Sequence, residues 1–326
     1  MRVLIVGAGI NGTLVGGALV EAGADVSFVV RPSRQRQLIS TGLHITSPLG
    51  RFRKPVHAIV PPKRLGDALD VKGSVDVLIL ATRANVYQPG LFVTRDVISP
   101  ATLIVPLFDG VHHLDHWREC YPNNPVALAR FDARATMDVD GIVRQSEPAG
   151  DLMLGLQSAS SAELLEELRR ALDGRRLRTH QHGAPVLSEV WARAIFRAAA
   201  AGASQLTSMP LRDTLRFVSR KPFLDMMEEG VCIGEARRIP GVRDAAARYK
   251  TAFMREGEPV IAPAPIGAGG RAGSEALFLL GSMLRQAQGL GWPAPSLRNA
   301  WAAAAKIETP SYAASTHRDR QASTGR

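Results

Sequence analysis

Val3-Leu-Ile-Val6 runs directly into Gly7-Ala-Gly9-Ile10-Asn11-Gly12, and these ten residues decide the fold. Four consecutive apolar residues are typical of a parallel strand that is buried on both faces. The glycines follow the pattern G-x-G-x-x-G, and residues 13–22 after them have a helical pattern. Since the glycine pattern is informative only between a strand and a helix, its place here predicts the first unit of a doubly wound α/β sheet.

Each glycine of this turn has a physical role. Gly7 permits a tight turn, Gly9 lets a pyrophosphate approach the backbone, and Gly12 lets the helix pack closely on the strand. Ile10 and Asn11 open the helix, whose free N–H groups and dipole point toward the phosphates. The sequence therefore predicts a bound dinucleotide at this turn, and the alternative is a plain strand-to-helix turn without a ligand.

Arg31 follows the second predicted strand, residues 25–30, at the place where many dinucleotide binders carry an acid for the ribose hydroxyls. A guanidinium cannot accept those hydrogen bonds, but its planar fork suits a phosphate. We therefore expect NADP(H), with Arg31 on the 2′-phosphate. Arg34 is either a second phosphate ligand or a solvated side chain, and Arg36 is expected to be exposed.

The composition allows more than one domain and excludes several classes of function. The chain has 326 residues, of which 45% are hydrophobic, and a net charge of +10. The basic residues form no block and have no interleaved aromatic residues, so nucleic-acid binding is not expected. Cys120 and Cys232 lack metal-ligand spacing, so no metal is expected either. With no signal peptide and no apolar run that could span a bilayer, we expect a cytoplasmic protein without a membrane partner.

Two kinds of pattern divide the chain. Further strands are predicted at residues 43–46 and 56–60 (expected to pair as a hairpin), 75–82, 102–107, 127–131 and 152–155, with an amphipathic helix at 162–172. From about residue 188 onward, only helical patterns are convincing. We therefore expect a Rossmann-type domain at 1–187, an all-helical domain at 188–309, and a polar tail at 310–326 that is disordered.

Later landmarks carry a family resemblance. They are Leu80-Ala-Thr-Arg83, Leu107-Phe-Asp-Gly110, Glu189-Val-Trp-Ala-Arg193, and Gly270-Arg-Ala-Gly-Ser-Glu275 with a glycine six residues later. Together with the opening turn, this spacing resembles the ketopantoate reductase (2-dehydropantoate 2-reductase) family over nearly the whole chain, to about residue 301. The resemblance implies NADPH-dependent reduction of a small 2-keto acid in a cleft between two domains, as in pantothenate biosynthesis.

The resemblance also assigns site residues. Arg193 falls on the catalytic lysine of the family, Glu275 on a glutamate that helps to bind substrate, Arg83 on a lysine near cofactor and substrate, and Asp109 on an asparagine near the cofactor. A guanidinium is a poor proton donor, although it can polarise a carbonyl or clamp a carboxylate. The nearby His112 and His113 are further candidates for the proton donor.

Several alternatives stay open. Glu189, Arg193 and Arg197 are spaced four residues apart and could simply form a salt-bridged helix face. The replaced lysine also allows a non-redox NADP(H)-binding sensor, and the remodelled stretch at 257–273 allows a biosynthetic enzyme that uses the same scaffold for another reaction. A homodimer through the helical domain is a further expectation.

Overall fold

The computed structural model describes residues 1–60, 75–82, 94–107, 109–111, 114, 121–156, 161–181, 185–256 and 271–308. Within them the predicted fold class is confirmed: a parallel sheet with helices occupies the N-terminal part, and the C-terminal part is helical. The predicted domain boundaries stay a prediction, and the tail at 310–326 lies outside the described residues.

The strands are β1 (Arg2–Val6), β2 (Asp25–Val29), β3 (Leu43–Ser47), β4 (Gly50–Lys54), β5 (His57–Ile59), β6 (Val77–Leu80), β7 (Leu103–Pro106), β8 (Ala127–Asp132), β9 (Ala135–Met137), β10 (Val143–Gln145), β11 (Gly150–Leu156) and β12 (Leu177–Gln181). The helices are α1 (Ile10–Glu21), α2 (Pro32–Thr41), α3 (Ala162–Leu172), α4 (Pro185–Thr207), α5 (Lys221–Ala236), α6 (Val242–Glu256), α7 (Arg271–Gln288) and α8 (Pro295–Glu308). A short helix (Leu211–Asp213) and a π-helical turn (Thr214–Val218) connect α4 to α5.

The main sheet has the strand order β5-β2-β1-β6-β7, and all its strands are parallel. The apolar runs of β1, β6 and β7 are buried on both faces, as the continuous apolar pattern predicts. Because the chain reverses its winding direction between β1 and β6, the carboxyl ends of these strands form the crevice where such sheets bind ligands.

The predicted hairpin is wrong in its pairing. β3 pairs antiparallel with β4, whereas β5 joins the main sheet parallel to β2. β4 escaped prediction because it has a single buried residue, Phe52, between exposed basic neighbours. With only one apolar side chain, the strand carries no alternating pattern that sequence reasoning could detect.

Two smaller sheets complete the N-terminal part, with the orders β4-β3-β10-β9 and β12-β11-β8. An isolated bridge between Ile104 and Val126 links the main sheet to the one that contains β8. The helix predicted at residues 162–172 is confirmed as α3, which buries Leu165, Leu168 and Leu172 in the core.

α4 is the central helix of the C-terminal part and packs against α5, α6, α7 and α8. Its alanine-rich stretch from Ala198 to Ala203 lets these helices approach closely, and a Cβ on Gly202 would lie 2.6 Å from the sulfur of Met226. α4 also contacts β8, where Arg193 pairs with Asp132. α4 therefore carries side chains from the helical core to the edge of the sheets. In the described part of the chain, no helix combines the length and the apolar character that a membrane crossing needs.

Candidate active site

The glycine turn has the geometry of a phosphate cradle. Gly7 has a φ of +101°, and a Cβ there would lie 2.8 Å from the carbonyl oxygen of Ala81. A Cβ on Gly12 would lie 2.0 Å from the carbonyl oxygen of Gly7, so this position excludes any side chain. By contrast, no atom lies within 4 Å of the place where a Cβ on Gly9 would stand. The turn is therefore tightly packed at Gly7 and Gly12 and open at Gly9, where α1 begins.

The two arginines that follow β2 differ in their surroundings. Arg31 precedes α2, is exposed, and its side chain makes no hydrogen bond or ion pair to any described residue. Arg34 is half-buried and donates from Nε to the carbonyl oxygen of Ala8 over 2.9 Å. Arg31 is thus free to meet a phosphate at the edge of the turn, whereas Arg34 is engaged by the turn itself.

Asp109 lies just beyond β7, at the same sheet edge as the glycine turn. Asn11 Nδ2 lies 3.5 Å from the carbonyl oxygen of Leu107, which joins the two turns. Ser282 Oγ of α7 accepts a hydrogen bond of 3.1 Å from the backbone N–H of Val111. A small pocket opens here, lined by Asn11, Leu107, Asp109, Gly110, Ala129, Phe131, Val190 and Arg193. The pocket therefore joins the glycine turn to the central helix of the other part of the molecule.

Arg193 and Arg197 occupy successive turns of α4 and share one acid. Arg193 Nε donates to Asp109 Oδ1 over 2.5 Å, and its Nη1 pairs with Asp132 Oδ1. Arg197 Nε lies 3.1 Å from Asp109 Oδ2, and its Nη2 donates to Glu275 Oε1 over 2.9 Å. Asp109 from the sheet edge is therefore held by both arginines, and Glu275 from α7 is tied to the second one.

The chain of ion pairs continues on the other side of Arg193. Arg130 Nε lies 2.9 Å from Asp132 Oδ2, and Arg130 Nη1 donates to Glu189 Oε2 over 2.9 Å. Glu189 Oε1 accepts a further bond of 2.6 Å from Arg248 Nη2. We call the whole series the ionic ladder; in order, its members are Glu275, Arg197, Asp109, Arg193, Asp132, Arg130, Glu189 and Arg248.

Acids and arginines alternate along the ionic ladder, so their charges cancel. Arg193 and Arg197 are only 6% and 5% exposed, and a buried charge is tolerated only when it is paired and hydrogen-bonded. Glu189, Arg193 and Arg197 lie along α4 as their spacing suggests, but their ion pairs among the described residues are to other elements and not to one another. Glu189 pairs with arginines of β8 and α6. The face is therefore a junction between elements.

The sequence of the N-terminal part of the chain matches a known protein family. Residues 3–158 match the family of ketopantoate reductase PanE/ApbA. The chain thus carries the domain of an oxidoreductase family. It is also similar to the uncharacterized oxidoreductase YkpB of Bacillus subtilis (strain 168), with 26% identity over 211 residues, which are 65% of this chain and 67% of that protein.

Solved structures extend the likeness to nearly the whole chain. A D-mandelate dehydrogenase, solved with NADH and anilino(oxo)acetate, matches 94% of this chain and 98% of its own at a TM-score of 0.79 and 17% identity. A PanE/ApbA family ketopantoate reductase from Ralstonia eutropha JMP134 matches the same shares at a TM-score of 0.76 and 23% identity. A 2-dehydropantoate 2-reductase from Methylococcus capsulatus matches 96% of this chain and 99% of its own at a TM-score of 0.72 and 20% identity. These likenesses establish the fold of a ketopantoate reductase for both parts of the molecule.

Tyr249 is a site neighbour that sequence reasoning missed. Its hydroxyl lies 3.5 Å from Asp132 Oδ2, and the Arg130 guanidinium lies 5.8 Å from its ring centroid. Burial raises the pKa of Tyr249, although Arg130 and Arg193 act in the opposite direction. The phenol is therefore a neutral hydroxyl at the ionic ladder of this ketopantoate reductase fold.

Not every predicted site residue can be placed. Arg83, His112 and His113 lie outside the described residues. Asp132, Arg130 and Arg248 were missed altogether, because no motif marks them. The only available signal was the pair Arg130 and Asp132, two charges on the same face of an otherwise apolar strand.

Proposed function

We propose that this protein is an NADP(H)-dependent oxidoreductase that reduces a small, anionic, 2-keto acid-like carbonyl compound in the cleft between its two parts. One observation carries the proposal. Asn11 of the glycine turn, Asp109 of the sheet edge and Arg193 of the central helix line the same pocket. A dinucleotide bound along the turn would meet there a carbonyl that accepts a hydrogen bond from the fixed guanidinium of Arg193.

The residues at the turn fit such a cofactor. The open backbone at Gly9 and the N-terminus of α1 suit the pyrophosphate, and the exposed Arg31 suits a 2′-phosphate. Asp109 borders the same pocket, and Arg83, which lies outside the described residues, stays a predicted cofactor ligand. When bound, the nicotinamide supplies the hydride for the carbonyl carbon.

Arg193 acts by position and charge. Its Nε and Nη1 atoms are held by two carboxylates, so the side chain is fixed before a substrate arrives. A preorganised charge of this kind lowers the energy of the oxygen that becomes negative during reduction. The proton then comes from water or from a neighbouring side chain. Glu275 contributes through Arg197, which it holds over 2.9 Å.

A second candidate function is a dinucleotide-binding sensor without redox activity. It is favoured by the ionic ladder, in which Arg193 already has two carboxylate partners and so needs no substrate for its charge to be balanced. A sensor would bind NADPH but oxidise none when carbonyl compounds are added. The repurposed biosynthetic enzyme on the same scaffold stays a prediction. The same holds for the homodimer, the cytoplasmic location and the lack of a nucleic-acid or membrane partner.

The test begins with fluorescence titrations of NADPH and NADH, followed by a panel of 2-keto acids that includes 2-dehydropantoate. Loss of NADPH absorbance reports turnover. We expect tighter binding of NADPH, turnover of at least one anionic member, and a loss in kcat of about a hundredfold for Arg193→Ala. Arg243→Gln, which removes an arginine from an exposed ion-pair group on α6, is the control and should turn over normally.

The outcomes separate the candidates. Tight NADPH binding without oxidation of any compound would favour the sensor. Tighter binding of NADH would contradict the role of Arg31. Unchanged turnover in Arg193→Ala would remove Arg193 from the reaction while leaving the cofactor assignment intact.

A further inference from the structure

Arg34 of α2 joins three separate parts of the N-terminal fold. Its Nε donates to the carbonyl oxygen of Ala8 over 2.9 Å, and its Nη2 donates to Thr13 Oγ1 over 3.2 Å. Ala8 lies inside the glycine turn, and Thr13 Oγ1 in turn donates to the same carbonyl over 3.3 Å. The guanidinium is therefore hydrogen-bonded to the turn at the point where the phosphate cradle is formed.

The Nη1 atom of the same guanidinium is hydrogen-bonded to the connection between β9 and β10. Arg34 Nη1 donates to the carbonyl oxygen of Gly141 over 2.9 Å. One turn further along α2, Gln37 accepts from Arg34 Nη1 over 3.2 Å and donates to the carbonyl oxygen of Val139 over 2.9 Å. α2 thus ties the β9–β10 connection, which belongs to a different sheet, to the glycine turn.

The contacts of Arg34 engage its guanidinium group within the protein and not with a ligand. All three of its nitrogens donate to the protein itself, and two of the acceptors are backbone carbonyls that need a donor when buried. Arg31, three residues earlier, is exposed and has no such contacts among the described residues. The two arginines therefore have different tasks, and the contacts of Arg34 correspond to neither the phosphate ligand nor the solvated side chain that the sequence left open.

We infer that Arg34 is a positioning residue that locks the Ala8 carbonyl, and with it the glycine turn, in the shape that receives the dinucleotide, and that the β9–β10 connection is part of this lock. The inference rests on the proposed binding of a dinucleotide. It makes a distinct prediction about selectivity. Loss of a phosphate ligand weakens NADPH alone, whereas loss of a turn lock weakens NADPH and NADH by the same factor.

Substitutions at either Arg34 or Gly141 would disrupt these hydrogen bonds. Arg34→Gln removes the guanidinium. Gly141→Ala keeps it but displaces it, since a Cβ on Gly141 would lie 1.8 Å from Arg34 Nη1. We expect each variant to raise the Kd of both NADPH and NADH by about five- to tenfold, as measured by calorimetric titration. Arg34→Lys, which can reach only one of the carbonyls, should fall between wild type and Arg34→Gln.

Two comparisons complete the experiment. Arg31→Gln should weaken NADPH alone, and Arg36→Gln, on the exposed side of α2, should weaken neither dinucleotide. The double variant Arg34→Gln/Gly141→Ala should bind no more weakly than the weaker single variant, because both changes open the same contact. A purely global loss of stability would instead add up in the double variant.

Each result decides the inference. Arg34→Gln that weakens only NADPH would show a phosphate ligand, and unchanged affinity for both dinucleotides would show that the lock has no role; either result overturns the inference. Additive losses in the double variant would do the same. If the wild-type protein binds neither dinucleotide, the proposed function fails, and the positioning role fails with it.

Discussion

At the scale of single residues, Asp109 is an acid of the ionic ladder that two buried arginines share. Asp109 accepts from Arg193 on one oxygen and lies against Arg197 on the other, with a side chain only 15% exposed. Removing its charge would leave two buried guanidinium groups with one carboxylate partner each. We expect Asp109→Asn to lower the free energy of unfolding by about 1–3 kcal/mol, because the lost bonds are charged and largely shielded from water. Urea denaturation at neutral pH measures this loss.

A matched change at the surface provides the control. Asp225 makes an ion pair of 2.6 Å with Lys221 on α5, but the lysine side chain is 78% exposed. Asp225→Asn should therefore cost at most about 0.5 kcal/mol. Equal losses for the two variants would mean that the ionic ladder is no more than a surface network.

The buried phenol predicts a dependence on alkaline pH. Burial raises the pKa of Tyr249 above the value of about 10 that it has in the unfolded chain. The folded protein therefore keeps this proton where the unfolded chain has lost it. The stabilising contribution is complete below about pH 10 and is lost as the pH rises toward the folded pKa. We expect the stability of wild type to fall more steeply above pH 10 than that of Tyr249→Phe.

Phenolate absorbance checks the same point directly. The difference between the titration curves of wild type and Tyr249→Phe isolates this one phenol, and it should have its midpoint above pH 10. A difference curve centred at the ordinary value would show that the phenol is solvated, and it would also remove the reason for the steeper loss of stability.

Residues that form motifs could be predicted from the sequence, and their long-range partners could not. Gly7, Gly9 and Gly12 are required by local backbone geometry, which a short pattern encodes. The partner of Arg193 at Asp132 lies 61 positions away and depends on how α4 crosses β8. The task of Arg34 was undecided for the same reason, since the carbonyl of Gly141 lies 107 positions away.

At the scale of elements, the packing of α1 on the main sheet depends on a further glycine, Gly16. A Cβ on Gly16 would lie 2.3 Å from Phe28 Cζ of β2, and Phe28 is fully buried. We expect Gly16→Ala to lower the free energy of unfolding by about 1–3 kcal/mol, because helix and strand must move apart. Thermal and urea denaturation would measure it. Gly174→Ala, whose Cβ would meet no atom within 4 Å, is the control. An unchanged stability in Gly16→Ala would mean that Phe28 has room to turn aside.

Elements with a strong periodicity were predictable, and short half-exposed strands were not. β1, β6 and β7 are continuous apolar runs, and α3 has acids early and arginines late, as the helix dipole prefers. β9 and β10 have only three residues each, too few for an alternating pattern to emerge. The pairing of β5 with β2 depends on competition between strands for one sheet edge. Local sequence does not report that competition.

At the scale of the whole molecule, the core of the N-terminal part meets the core of the helical part at a junction that contains ionic contacts among the described residues. The first core consists of two clusters, one on each face of the main sheet, and the second core surrounds α4. Between them lie the ionic ladder and a small apolar cluster of Leu128, Val186 and Val190. Asp109 and the backbone of Val111 come from the sheet edge, yet their polar partners Arg193, Arg197 and Ser282 are in helices α4 and α7. The helical part therefore shapes one wall of the pocket beside the glycine turn.

This junction predicts that the two parts unfold together. The dinucleotide would bind the N-terminal turn, whereas three of the four tryptophans, at positions 191, 292 and 301, lie in the helical part. With Trp117→Phe present in every sample, tryptophan fluorescence reports on the helical part alone. A ligand at about one hundred times its Kd stabilises the state that binds it by about 2.7 kcal/mol. We expect NADPH to raise the tryptophan-monitored unfolding midpoint as much as the midpoint seen by circular dichroism. In Asp109→Asn, where the sheet edge loses charged contacts to Arg193 and Arg197, the tryptophan signal should shift less than the circular dichroism signal. If NADPH leaves the tryptophan-monitored unfolding midpoint of the wild-type protein unchanged, the ionic ladder does not couple the two cores. Stabilisation of the first core would then not reach the second.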